Sequence, residues 1–254
     1  MRTVATWALA AVVLAAAQPA KADDIKVASA GAFKSVLDAL AVQYQKETGT
    51  KLDIVYQTVG QHVGLIRDGK ETFDVAVLTP AAIEGLAKDG KIVAGTKVDL
   101  ARVGIGVVVK AGAAKPDIST VEAFKHALVA AKSVAYIDPK AGGSSGIYVA
   151  GLLERLGIAG AITAKAVLVQ GGAVADHVAD GEAEIGIHQI SEILPVAGAT
   201  LVGPLPAEIQ NYTVYAAGIG EPGGNAARAV VRFLSGPDAL PIIKAHGMEP
   251  AGGS

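Results

Sequence analysis

The chain has no cysteine. Disulfides, a thiolate metal site and a lipid anchor on an N-terminal cysteine are therefore excluded. Aromatic residues make up only 4% and charged residues 18%, and the formal net charge is −2. Without a basic excess, nucleic acid and anionic membrane surfaces are poor partners. After the first 22 residues no apolar run is long enough to cross a bilayer. The five histidines, His62, His126, His177, His188 and His246, include no pair at metal-ligand spacing and sit in no acidic cluster, so neither a metal nor a cofactor is expected.

What the 254 residues do contain is apolar material, 51% of the chain, enough for one or two domains with real cores. The first stretch stands apart. Arg2 precedes an apolar run over residues 4–17, and Ala20-Lys21-Ala22 offers a small-x-small cleavage site. Residues 1–22 thus read as a secretory signal peptide. Its removal takes Arg2 and Lys21, leaving 20 basic against 24 acidic residues and a net charge of −4. A secreted, acidic protein is expected, placed in a bacterial periplasm.

Beyond residue 22, strands and helices alternate. Strands are expected at 25–29, 51–56, 73–78, 103–110, 133–137, 166–169, 185–188 and 212–219. Helices with an i, i+3, i+4 apolar stripe lie between them, as at Phe33, Val36, Leu37, Leu40 and Tyr44. A capping box is read at Ser119 to Glu122, and Ser191 is read as the cap of a short helix. This alternation implies α/β architecture with mostly parallel sheets. Gly-rich strand-to-helix turns occur at Ala30-Gly31 and at 142–146, and helices ending in Asp-Gly precede strands at Asp68-Gly69 and Asp180-Gly181. Two similar lobes facing each other are the natural reading.

The stretch 136–148 is the most informative. A strand runs through Asp138-Pro139 into Gly142-Gly-Ser-Ser-Gly146 and then a helix with Tyr148, Leu152, Leu153 and Leu156. The loop lies at a helix N-terminus, where N–H groups have no intrahelical partner, and its glycines would let a foreign group approach the backbone. Such a place suits an anion or a carboxylate. The same residues match Gly-x-Ser-x-Gly, the nucleophile elbow of hydrolases. The alternative reading is therefore a secreted serine hydrolase using Ser144, with Asp176 or Asp180 and His177 or His188 completing a triad. Against it, an elbow places serine directly after the strand, and here 138–143 intervene. The leading reading has no catalytic residue.

Several segments together resemble the periplasmic molybdate-binding protein family, the soluble receptors of an ABC importer. They are 25–33 (IKVASAGAF), Glu47-Thr-Gly49, Phe73-Asp-Val-Ala-Val77, Asp138-Pro139 with Gly146-Ile-Tyr148, and Ile185-Gly-Ile187 followed by Ser191-Glu192. The resemblance implies a two-lobed type II periplasmic binding protein fold. Its hinge of crossing strands would be 103–107 and 212–217. Lobe 1 would be 23–103 and 219–254, and lobe 2 would be 104–218. It also implies a monomer that binds a small anionic ligand between the lobes and presents it to an ABC permease in the inner membrane. The ligand set carried over position by position is Gly31, Ala32, Thr58, Val59, Gly60, Ser144, Ser145, Gly171, Gly172 and Gln189. At most of these positions this chain departs from the family. Ala32 and Val59 stand where the family has ligand-binding serines, and Ser144 and Ser145 stand where it has proline and alanine. Gly171 replaces a valine and Gln189 a tyrosine. A site built for one hydrogen-bonding pattern discriminates against another, so a different oxyanion or a small organic acid is expected. His188 and His62 are further candidates for ligand contact, whereas Arg67 reads as a surface helix residue and Tyr148 as core.

Overall fold

The structure is a computed structural model that describes residues 24–251; the expected signal peptide, 1–22, lies outside them. In chain order the main elements begin with β1 (Ile25–Ala30), α1 (Lys34–Thr48), β2 (Leu52–Gln57), α2 (Val59–Arg67), β3 (Val75–Leu78) and α3 (Pro80–Lys88). The long strand β4 (Val98–Lys110) follows, then α4 (Val121–Ala130), β5 (Val134–Ile137), α5 (Ser144–Arg155), α6 (Ala159–Thr163) and β6 (Ala166–Val169). Next come α7 (Val174–Ala179), β7 (Ile185–Gln189), α8 (Ile190–Ile193), β8 (Ala199–Pro204), β9 (Tyr212–Ile219), α9 (Asn225–Leu234), α10 (Ala239–Ala245) and β10 (Glu249–Pro250).

The apolar stripe of α1 is buried at Val36, Leu37, Leu40 and Tyr44, and the helix stops at Gly49, whose φ of 75° is the left-handed conformation that glycine adopts without strain. That face packs with β3, β9 and α9 in one core containing Phe33, Leu78, Leu86, Tyr215 and Leu234. The other half of the chain buries two faces of a second set of strands. One face collects Ile105, Val107, Phe124, Leu128 and Leu152, and the other Val108, Ala135, Val174 and Val178. Val107 and Val108 divide between them as the period of two requires.

The strand order is β2-β1-β3-β9-β4-β7-β5-β6, with β8 and β10 pairing on β4. Pairings are parallel within β2-β1-β3 and β7-β5-β6, but β9 runs against β3 and β4, and β4 runs against β7, β8 and β10. The sheets are mixed where the alternation of elements suggested mostly parallel ones. The reason is that β4 and β9 serve both halves of the molecule. Residues Val98 to Gly104 of β4 pair with β9, whereas Ile105 to Val109 pair with β7. At the changeover the Gln210 side chain brackets Ile105, accepting from its N–H and donating to its carbonyl, each at 2.9 Å. These are the crossing strands expected of a hinge.

Three local expectations shift. Strand β4 begins at Val98, five residues earlier than read, because pairing with β9 supports a segment whose exposed Asp99 and Arg102 weaken its apolar signal. Helix α4 is capped by Thr120, whose Oγ1 accepts from Ala123 N–H; Ser119 lies one residue outside. Ser191 falls inside α8 and spends its hydroxyl on Ala32 O at 2.7 Å.

Candidate functional site

The strand ends of the two halves face each other across a cavity of about 440 Å³. Eight of the ten residues expected to hold ligand line it: Gly31, Ala32, Thr58, Val59, Ser144, Ser145, Gly172 and Gln189. Gly60 and Gly171 are absent from its wall. The N–H of Gly60 donates to Gly142 O at 3.1 Å, and a Cβ on Gly60 would stand 2.8 Å from Gly142 Cα. The turn ahead of α2 is thus pressed against the turn ahead of α5. Gly171 lies nearest the Gln61 side chain instead.

The Thr58 side chain is also committed. Its Oγ1 caps α2 by accepting from Gln61 N–H at 3.2 Å, and it donates to Ala141 O across the cleft. Its own N–H is held by Gln61 Oε1 at 3.0 Å. The glycine loop, expected to admit a foreign group, is mostly filled by the protein itself. A Cβ on Gly146 would lie 2.3 Å from Ile137 O, so glycine there lets α5 sit on the end of β5. Asp138 turns inward on the loop, accepting from Lys140 N–H at 2.9 Å and Gln170 Nε2 at 3.0 Å, and these bonds hold its carboxyl below the usual carboxylate range.

The unspent chemistry lies deeper. Ser144, in the first turn of α5, is 3.2 Å from the Tyr215 hydroxyl and accepts from Gln189 Nε2 at 3.3 Å. Gln189 Nε2 also donates to Thr213 Oγ1 at 3.0 Å. Tyr215 comes from β9 and packs its ring against Phe33, the centroids 6.3 Å apart. Burial, then the charge of Glu192, pushes its hydroxyl above the usual phenol range, against the pull of its hydrogen bonds with Ser144 and Gln189.

Beside this cluster, Glu192 of α8 faces His188 of β7, with Oε2 3.2 Å from Nε2. His188 is 2% exposed and the Glu192 side chain 14%. Burial pushes the Glu192 carboxyl up to about 8 and the His188 imidazole down to about 3, so both favour their uncharged forms. Among the described residues, two buried polar side-chain atoms lack a partner, His188 Nδ1 and Gln189 Oε1, and both residues line the cavity. At the mouth, Asp38 is held by Lys34 Nζ at 2.7 Å and Tyr56 OH at 2.6 Å.

The triad of the hydrolase reading is not assembled. Ser144 bonds to Tyr215 and Gln189, His188 faces Glu192, and His177 pairs with Glu182 at 2.6 Å on the surface. His62 sits outside the cleft, fully buried, with Nδ1 2.8 and 2.9 Å from the two oxygens of Glu71 and Nε2 3.0 Å from Ser29 O. Arg67 pairs with Asp89 at the surface, and Tyr148 bonds to Ile209 O at 2.7 Å beside the second core. Among the described residues no group of three or more His, Asp or Glu side chains could hold a metal ion. The residues that the sequence reading missed are Glu192, Tyr215 and the Lys34–Asp38–Tyr56 group. The signal for Glu192 was present: it lies at i+4 from His188.

A model of the bacterial extracellular solute-binding protein family matches residues 25–249. The chain is 34% identical over 249 residues to a Pseudomonas sp. protein named aconitate isomerase, a match that covers 95% of this chain and 93% of that one. It is 31% identical over 259 residues to the molybdate-binding protein ModA of Azotobacter vinelandii, covering 94% of each. The solved structure of the periplasmic molybdate-binding protein of Azotobacter vinelandii aligns with a TM-score of 0.75 at 25% identity, over 89% of this chain and 98% of that one. The architecture is the two-lobed type II periplasmic binding protein fold. With the family model spanning nearly all of the described residues, the chain belongs to the bacterial extracellular solute-binding protein family.

Proposed function

We propose that this protein is a periplasmic receptor that holds a small organic polycarboxylate between its lobes and hands it to an ABC permease. Lobe 1 comprises 23–103 and 219–254, lobe 2 comprises 104–218, and β4 with β9 forms the hinge. Ligand binding between the lobes shifts an open form towards a closed one that the permease can recognise.

One observation carries this reading: the Glu192–His188 pair in the cavity wall. A small, fully ionised tetrahedral oxyanion offers acceptors on every side and calls for donors on every side. In that wall burial holds Glu192 and His188 uncharged, so the pair brings no positive charge to answer it. A polycarboxylate presents C–H and hydroxyl faces as well as anionic ends, so it can set an anionic end at the first turn of α5 and a neutral face towards Glu192. A cavity of about 440 Å³ also falls in the usual range for small-molecule sites, larger than five heavy atoms require. Ala32 and Val59, where the molybdate family has serines, remove two hydroxyl donors and point the same way.

The test is a thermal-shift panel of molybdate, tungstate, sulfate, phosphate and mono-, di- and tricarboxylates on the chain lacking residues 1–22. A polycarboxylate at 100 times its Kd should add about 2.7 kcal/mol of stability, with the oxyanions adding nothing. Stabilisation by molybdate alone overturns the reading.

A second reading is favoured by the relative named aconitate isomerase, whose match covers 95% of this chain, together with the same acid–imidazole pair. It makes the protein an isomerase of an unsaturated tricarboxylate. Incubation with cis-aconitate and with trans-aconitate tests it, and failure to interconvert them removes it.

A further inference from the structure

Glu192 and His188 enter the cavity from one strand-to-helix turn, β7 into α8, four residues apart. Glu192 spans the cleft. Its Oε2 lies 3.2 Å from His188 Nε2, while its Oε1 lies only 2.8 Å from where a Cβ on Gly31 would stand. A side chain at position 31 would displace the carboxyl group, so the absence of one leaves Oε1 lying over the β1 turn of the opposite lobe. Nδ1 of His188 has no partner. Nearby, the hydroxyl of Ser144 is fixed by Tyr215 and Gln189 at the start of α5, whose first N–H groups have no intrahelical acceptor. A carboxyl oxygen and a set of donors for negative charge therefore share the lining of one cavity.

Resting on the isomerase reading, we propose that Glu192 is the proton-transfer group of a 1,3-proton shift on a bound unsaturated polycarboxylate, with His188 as its positioning residue and Ser144 with the start of α5 receiving the developing negative charge. The Glu192 carboxylate takes a proton from a carbon that adjoins both a substrate carboxylate and the double bond. That C–H bond breaks, an O–H bond forms on Glu192, and the electron pair spreads through the double bond onto carboxylate oxygens. The acid then returns the proton to the far allylic carbon; the O–H bond breaks, a C–H bond forms, and the double bond has moved. Nothing is oxidised or reduced, and no co-reactant is consumed.

Burial, which pushes the Glu192 carboxyl up to about 8, suits a group that must act as base and acid in turn near neutral pH. The other titratable groups around the cavity are Lys34 and Asp38 of α1, Tyr56 of β2, Asp176 of α7 and Tyr215 of β9. Lys34 and Tyr56 are both engaged with Asp38.

The experiment uses the chain without residues 1–22, incubated with cis-aconitate and followed by proton NMR for conversion to the trans isomer, with calorimetry for binding. Conversion should proceed at a rate that rises with pH and levels above about 8. Glu192→Gln should slow conversion at least about 100-fold while binding changes only a few-fold, and Glu192→Asp should retain slow conversion. His188→Phe should keep conversion but move the rising limb to higher pH, since the ionised carboxylate loses the polar ring nitrogen that faces it. Wild-type binding with no conversion overturns the proposal and leaves the receptor reading standing. Conversion at the wild-type rate in Glu192→Gln overturns the assignment to Glu192. Absence of cis-aconitate binding overturns the isomerase reading and the proposal together.

Discussion

Among the described residues two histidines are buried against a glutamate, and the two pairs differ in what they leave unspent. In lobe 1, His62 is fully buried between Glu71 and Ser29 O, and both ring nitrogens have partners. At the cleft, His188 is as buried, but it faces Glu192 through one nitrogen while the other has no partner. The first pair ties α2 to β1 and to the segment ahead of β3. The second bonds little of the fold to itself and opens on a cavity. Residue type and burial are nearly the same in both, so neither identifies a site. Hydrogen-bond accounting does, because native folds seldom leave buried polar groups unpaired without a use.

The largest effect that follows is on the saturated pair. Glu71→Ala leaves Nδ1 of His62 buried without a partner, which should cost about 2–3 kcal/mol. For a chain of this size that is roughly 4–12 °C in Tm, read by a thermal melt at pH 7. Lobe closure on ligand should still raise Tm in the variant by the same amount as in wild type. A fall within about 0.5 kcal/mol of zero, the range of ordinary surface changes, would erase the distinction between the pairs.

The second effect is on pH dependence and belongs to the cleft pair. The folded Glu192 carboxyl sits at about 8, against an ordinary value of 4.5. Between those values the folded state binds more protons than the unfolded one, so stability falls as pH rises. His188 acts in the opposite sense: held at about 3 when folded, against 6.5, it makes stability rise with pH, and that rise is complete only near 7.5. In the window from pH 6.5 to 8.5 Glu192 therefore dominates. Wild type should lose about 1.5 kcal/mol across it, and Glu192→Gln, which has no proton to release, should instead rise by about 0.4 kcal/mol. Chemical denaturation at several pH values measures this, and equal slopes in the two proteins would sink the argument.

Much of the fold was legible because it depends on periodicity and punctuation. The α1 stripe, the stop at Gly49 and the turn ahead of α5 follow from residues near one another in sequence. The early start of β4 at Val98 was not legible, since Asp99 and Arg102 interrupt its apolar pattern and a partner more than a hundred residues away holds it in place. The site divides in the same way. Ser144, Thr58 and Gln189 were found from strand-to-helix turns and the resemblance. Their roles were not: Thr58 proved to be a cap and a contact across the cleft, and Gly60 proved to be packed on Gly142. Tyr215 lies in a strand read only as a hinge, and what brings it beneath Ser144 is the crossing of β9 from one lobe to the other, which no local signal shows. His62 and His188 carry similar weight as cleft residues in the sequence, because what separates them, a partner for the second ring nitrogen in His62 (Ser29 O) and none for Nδ1 of His188, exists only in three dimensions.

The smallest effect sharpens the comparison most. His188→Phe replaces one ring by another of similar size and removes a side chain whose polar contact is with Glu192 alone. At pH 7 the imidazole is uncharged, so no ion pair is broken. The Glu192 carboxyl loses a 3.2 Å contact, a cost of at most about 1 kcal/mol, and the unpartnered Nδ1 is removed with the ring, which offsets part of that cost. The variant should therefore melt close to wild type, well above Glu71→Ala in the same buffer. If it instead falls as far as Glu71→Ala, His188 is a structural histidine like His62, and the unpaired nitrogen at the cleft has no meaning for ligand. If it holds, a buried polar pair is present that the fold barely needs, and its place in the wall between the lobes leaves the bound molecule as its reason.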